Sequence, residues 1–200
     1  MGDRVLDLGS GSGKNAFICS QLVGADGAVI GVDRNVEMLA LSRGAAAQVA
    51  EAIGYNNVQF VDGSIEALDA PIGDGTPLVA EESVDLVLSN CVLNLVNPSD
   101  RERLLANIRR VLAPGGRVAI SDIVCDQVVP QHLQDDPDLW SGCISGAWEE
   151  SAFLDAFRRL GFEQVHYTDR SQDPWREVEG IEFRAVTLVG DLPGSSGCCP

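Results

Sequence analysis

Two carboxylates and a glycine loop carry the first chemical signal in this sequence of 200 residues. Gly9, Gly11 and Gly13 alternate with Ser10 and Ser12, so the main chain there can turn sharply and lie bare against a ligand. Asp7 stands just before the first glycine. Asp33 comes twenty residues past Gly13, at the end of an apolar run, Ala28-Val29-Ile30-Gly31-Val32. A carboxylate there accepts hydrogen bonds from the two hydroxyls of a ribose. The alternative is a tight turn and an unrelated surface acid. The spacing is Gly-x-Gly-x-Gly, not the Gly-x-Gly-x-x-Gly of dinucleotide loops. A carboxylate at Asp7 suits a ligand bearing an ammonium better than one bearing a pyrophosphate. S-Adenosylmethionine (SAM) has that ammonium, and a sulfonium besides.

Thiols are the second signal. The six cysteines are Cys19, Cys91, Cys125, Cys143, Cys198 and Cys199. In a reducing compartment they stay thiols, and soft thiolates suit soft acceptors. Several have plainer readings. Cys19 shares a helix face with Ala16 and Val23 and reads as core. Cys91 reads as a small buried hydrophobe, and Cys125 as a buried thiol just past a strand. Cys198 and Cys199 sit among Gly, Ser and Pro, which offer no packing. Positioned bases are scarce: the histidines are His132 and His166, and Lys14 is the only lysine. His166 falls inside a strand pattern and reads as structural. Asp and Glu are plentiful, so this scarcity only suggests chemistry without a dedicated base.

The elements that must position these groups alternate, strand then helix, as in a doubly wound α/β sheet. Arg4 to Leu8 is a buried strand, and Lys14 to Val23 a helix whose first N–H groups face the loop ligand. Asn35 caps a second helix to about Ile53, with Met38, Ser42, Ala45, Val49 and Ala52 on one face, and Gly54 closes it. Val58–Val61 and Val84–Leu88 are strands, separated by a surface loop from Asp69 to Glu82. Pro98-Ser99-Asp100 opens a helix with Leu104, Leu105, Ile108, Val111 and Leu112 inward. Pro114-Gly115-Gly116 turns into a fifth strand, Arg117–Ile123. Residues 124–148 form a connection too long to be idle. Glu149–Leu160 is a helix, and Gln164–Tyr167 and Glu182–Val189 are the last strands. One domain is expected over 1–189, then a loose cysteine-bearing tail, 190–200. Asn90 follows the fourth strand at the carboxyl end of the sheet, where ligands of open α/β folds bind. It can meet the amino acid part of SAM or cap a turn.

Asp7-Leu-Gly-Ser-Gly-Ser-Gly13 resembles the first motif of class I SAM-dependent methyltransferases. Ser89-Asn-Cys-Val-Leu-Asn-Leu95 and Leu139-Trp-Ser-Gly-Cys-Ile-Ser-Gly-Ala147 are similar, more narrowly, to segments of arsenite methyltransferases. Trp175-Arg-Glu-Val-Glu-Gly-Ile-Glu-Phe-Arg-Ala-Val-Thr187 resembles that family's run into its last strand. The resemblance implies a Rossmann-like, mostly parallel seven-stranded sheet with helices on both faces and a reversed last strand. It implies SAM as cofactor, held by Asp7, Gly9, Gly11, Asp33, Arg34 and Asn90. Met38, Ile65 and Glu66 would lie near the adenine, because Gly63-Ser64-Ile65-Glu66 follows the third strand. In that family three cysteine thiolates hold As(III). By position, Cys143 and Cys198 carry over, with Cys199 as a substitute for Cys198. The family's N-terminal region, with a further cysteine, has no counterpart before Arg4. The implied function is methyl transfer to arsenite or methylarsenite, supported by a cellular thiol reductant. A quinone-like carbon or oxygen methyltransferase, or a domain that binds SAM or metalloid without turnover, stays open. An NAD-linked dehydrogenase is disfavoured, since no Tyr-x-x-x-Lys pair exists.

Composition bounds the rest. Length suits one domain with a sizeable core, and 45% hydrophobic with 22% charged residues is ordinary for a globular chain. A net charge of −16 disfavours nucleic acid, whose binding draws on Lys and Arg. No apolar run reaches membrane-span length and no signal pattern opens the chain, so a cytoplasmic location without membrane contact is expected.

Overall fold

The computed structural model describes residues 1–194. Strand β1 (Arg4–Leu8) leads through the glycine loop into α1 (Lys14–Val23). β2 (Ala28–Asp33), α2 (Val36–Ile53) and β3 (Val58–Asp62) follow. Next come β4 (Val84–Asn90), α3 (Arg101–Val111) and β5 (Leu112–Cys125). Two short helices, α4 (Gln131–Gln134) and α5 (Pro137–Ser141), occupy the long connection, which ends in β6 (Trp148–Glu149). α6 (Glu150–Arg159), β7 (Glu163–Arg170), β8 (Arg176–Val178) and β9 (Ile181–Asp191) complete the fold.

Seven strands form the continuous path β3-β2-β1-β4-β5-β9-β7. β1 to β5 pair in parallel, and β9 returns antiparallel between β5 and β7. The expected mostly parallel, doubly wound sheet with a reversed last strand is present. Two short strands are additions: β6 pairs with β5, and β8 with β9. The β8–β9 hairpin turns on Glu179 and Gly180, both at positive φ, as a tight two-residue turn requires. Glu-Gly is a weaker turn signal than Asn-Gly, and so β8 was not expected.

Alternation along β4 and β5 divides the sheet's two faces. Val87, Ser89, Val118, Ile120 and Asp122 are buried on one face, and its apolar members share a core with Leu104, Leu105, Ile108 and Val111 of α3 and Phe153 and Phe157 of α6. The opposite face packs α1 and α2 through Ala16, Val23 and Leu39. The inward stripe of α2 differs from the expected one. Leu39 and Ser42 are buried, while Met38 sits one position round the helix and is exposed. Asn35 caps α2, accepting from the N–H groups of Glu37 and Met38. A smaller core of Ile123, Val129, Leu133, Leu139, Ile144 and Phe183 anchors the long connection on the ends of β5 and β9. No helix among the described residues is long and apolar enough to cross a membrane.

Candidate active site

The cofactor side is built at the carboxyl ends of β1, β2 and β3. Gly9, Gly11 and Gly13 all take positive φ, and a Cβ on Gly9 would lie 2.4 Å from the Val92 side chain. The loop therefore needs glycine both to turn and to admit its neighbour. Asp33 ties the loop down: Oδ2 accepts from the Gly11 N–H at 2.7 Å and Oδ1 from the Asn35 N–H at 2.8 Å. Beside it opens a cleft of about 420 Å³. Gly9, Asp33, Arg34, Met38, Ile65 and Glu66 line it, with Val92, Asn97, Asp100 and Trp140 on the far wall. The cleft has the size of a small-molecule site, with a few polar groups on an apolar wall. It fits a nucleoside: a carboxylate at the diol position, bare backbone alongside, and Met38 and Ile65 against a base.

Asp7 lies under α1 and is 1% exposed. It meets the Ala16 N–H, while Oδ2 has no partner among the described residues. Burial pushes its carboxyl up to about 7, against the lowering effect of that N–H. An orphaned buried carboxylate beside the loop fits a cationic ligand group. Asn90 lies elsewhere. It shares a strand face with Leu88, so its side chain lines a separate hollow with Asn15, Ile18 and Cys19 on the α1 side.

Across the cleft, one residue departs from the sequence expectation. Cys91 is exposed, not a buried small hydrophobe. β4 ends at Asn90, and Cys91 turns the chain at φ 56°, a region non-glycine residues rarely adopt. Val92 then packs on Gly9 and lines the cleft. Cys143 is 9% exposed and also holds positive φ, 60°. Its Sγ lies 3.5 Å from the carbonyl oxygen of Cys91. Trp140, three residues earlier on α5, forms the cleft wall. The Cys143 thiol thus reaches the backbone of Cys91, 52 positions away, and Val92 and Trp140, close to the two cysteines in sequence, line the cleft. Burial first, then Asp122 and Cys91, push the Cys143 thiol up to about 12. Burial and Asp122 also raise Cys91. The Asp122 carboxyl is itself raised to about 6 by burial, although backbone N–H groups of Ile123, Asn94, Leu93 and Val92 favour its charge.

Cys198 and Cys199 lie outside the described residues. The last described stretch is at the opposite end of β5 from Cys143: the Gly115 N–H donates to Pro193 O, while Cys143 O and Ile123 O share the Asn94 amide. Cys125 is buried, as expected, with its thiol toward Ala147 O and Trp148 O. Cys19 is half-buried beside the α1 core and the Asn90 hollow. His132 pairs with Glu179 at 2.8 Å and His166 with its own strand, so neither faces the cleft. Sequence reasoning missed Asn94, Asp122 and Trp140. An acid inside the apolar run Val118–Val124 was a usable signal for Asp122.

A family model described as a methyltransferase domain matches residues 1–175. An arsenite methyltransferase of Halobacterium salinarum is 41% identical over 86% of this chain and 40% of its own length. One of Aquipseudomonas alcaligenes is 39% identical over 80% of the chain and 44% of its own. The chain therefore spans about two-fifths of the length of these curated relatives. The crystal structure of an arsenic(III) S-adenosylmethionine methyltransferase from Chlamydomonas reinhardtii superposes with a TM-score of 0.83 at 34% identity. That match covers 98% of this chain and 65% of the other. By family match, fold and relatives together, the chain belongs to the SAM-dependent methyltransferase domain family and is similar to its arsenite methyltransferases.

Proposed function

We propose that the chain transfers a methyl group from SAM to trivalent arsenic held by the sulfurs of Cys91 and Cys143. The observation that carries this reading is the approach of Cys143 to Cys91 at the cleft rim, on two backbone turns of unfavourable φ. Strain of that kind persists where surrounding structure over-determines it, and it clusters at functional sites. Asp33, Arg34, Met38, Ile65, Glu66 and the glycine loop would hold the nucleoside, with Asp7 toward the ammonium. When bound, SAM supplies an electrophilic methyl on a positively charged sulfur.

The thiols need no prior ionisation. Arsenous acid is uncharged at neutral pH, and each As–S bond forms as a thiol proton leaves on a departing hydroxide as water. Two thiols thus release two waters and leave one As–O bond. The arsenic keeps its lone pair, so no general base has to remove a proton before attack. The pair attacks the methyl carbon, an As–C bond forms, and the bonding electrons of the breaking C–S bond stay on sulfur. Arsenic is thereby oxidised from III to V, and two equivalents of a small cellular thiol would return it to III, leaving as a disulfide with their two protons. What the protein contributes is placement: both sulfurs on one arsenic, aligned with the cleft. Cys198 and Cys199 are candidates for the third ligand, which a small thiol can equally fill.

Arsenic speciation after incubation with SAM, arsenite and a thiol reductant tests this. Cys91→Ser and Cys143→Ser should each lower methylarsenic formation by about 100-fold or more, since each breaks a chelate whose second bond gains ~10²–10⁴ from effective concentration. SAM affinity should stay unchanged in both. Methylation by either variant at the unmutated rate would overturn the reading.

A further inference from the structure

Asn94 is part of the Cys91 turn, yet its side chain serves the Cys143 loop. It is 1% exposed. Its Nδ2 donates to Ile123 O at 2.7 Å and to Cys143 O at 3.2 Å. Its backbone N–H donates to Asp122 Oδ2 at 3.3 Å. Its own carbonyl oxygen lies 1.9 Å from where a Cβ on Gly146 would be. Only glycine lets the loop approach that closely. Seven residues on, Arg101 holds the far side of the same loop. Its Nη2 donates to Gly146 O at 2.5 Å, and its guanidinium lies 4.4 Å over the Trp148 ring. The Cys143 loop is therefore tied at 143 and at 146, both times by the segment that begins with Cys91.

We propose that Asn94 is a positioning residue that sets the separation of the Cys91 and Cys143 sulfurs, with Arg101 fixing the far end of the loop. The inference rests on the two-thiol reading above. A buried carboxamide can donate to two carbonyls at once, which a carboxylate of the same shape cannot. Asn94→Asp should therefore fail as Asn94→Ala does. Chelation is sensitive to this geometry because both sulfurs must reach one arsenic together. Ordinary loop packing would not single out the thiol separation. Ser145 provides the contrast: its single Oγ–H is shared between Leu133 O at 2.7 Å and Asp136 O at 3.1 Å, so its side chain bonds the loop to its own connection.

The test uses the full chain with Cys19, Cys125, Cys198 and Cys199 replaced by Ser. Two quantities are read: affinity for phenylarsine oxide, which bridges paired thiols, and the rate at which a short bis-methanethiosulfonate cross-links Cys91 to Cys143, mapped by peptide mass spectrometry. Asn94→Ala and Asn94→Asp should lower both by about 10- to 100-fold, the cost of a small misplacement of reacting groups. Arg101→Met, which leaves Asn94 in place, should give a smaller loss in both, and it carries the test should the Asn94 variants not fold. Ser145→Ala should leave both near the starting values. Unchanged cross-linking in Asn94→Ala, while Cys91→Ser abolishes arsenical binding, would overturn the role of Asn94 alone. Slowed cross-linking with undiminished phenylarsine oxide affinity would keep that role and overturn the two-thiol reading. Losses in Ser145→Ala equal to those in Asn94→Ala would reduce Asn94 to general packing and overturn the proposal.

Discussion

Asp7 is the residue at which stability and binding pull in opposite directions. Its carboxyl is raised by burial to about 7, above its ordinary value in an unfolded chain. The folded protein therefore holds a proton that the unfolded chain releases at lower pH. The stability this provides is complete below about pH 4 and is lost as pH rises through about 7, on the order of 4 kcal/mol. Asp7→Asn removes the dependence, because an amide keeps the bond from the Ala16 N–H and cannot ionise. The variant should melt about 5 °C or more higher at pH 7.5, with a flatter profile between pH 4 and 7. Calorimetry should find it poorer at binding SAM. A variant that melts no higher at pH 7.5 would refute this assignment. Cys91 makes the complementary point about reading residues in sequence. A cysteine after a strand of a buried sheet is more often core than surface. Its exposure follows from a left-handed turn, and neither the type of a residue nor its neighbours announces that φ.

At the scale of elements, the β1–loop–α1 unit was legible because every local preference agrees: an apolar strand, glycines at positive φ, and a helix start. The Asn35 cap and Gly54 stop of α2 were legible for the same reason. The acceptor loop was not. It lies between β5 and β6, where two short helices, a small core and tertiary hydrogen bonds decide the path, and no periodicity encodes them. Resemblance alone marked Cys143, and only the fold supplies Cys91 as its neighbour. The two halves of the site meet where Val92 packs on Gly9. Gly9→Ala would thrust a methyl to 2.4 Å from Val92 Cγ2 and disfavour the φ of 68° the loop requires. SAM affinity and arsenical affinity should then fall together, each by about 10-fold or more. Gly11→Ala is the control, since nothing lies within 4 Å of its added Cβ although its φ of 53° also disfavours a side chain. It should touch SAM binding and spare arsenical binding. Arsenical affinity unchanged in Gly9→Ala would show that the two halves are not coupled through Val92.

For the whole molecule, the proposed function divides one sheet's work: the carboxyl ends of β1 to β3 would hold the nucleoside, and those of β4 and β5 would carry the two thiols. A net charge of −16 does not oppose this, because arsenous acid approaches uncharged. The doubly wound sheet and the reversed β9 followed from alternation and resemblance, whereas the strand order and the neighbour of Cys143 depended on how distant residues converge. That convergence is the central claim, and X-ray absorption at the arsenic edge reads it directly. The protein is loaded with one equivalent of arsenite under a phosphine reductant, so that every sulfur around arsenic comes from the chain, in a background with Cys198 and Cys199 replaced by Ser. Two As–S distances and one As–O distance are expected, falling to at most one As–S in Cys91→Ser and in Cys143→Ser. Two As–S distances persisting in Cys91→Ser would contradict the account.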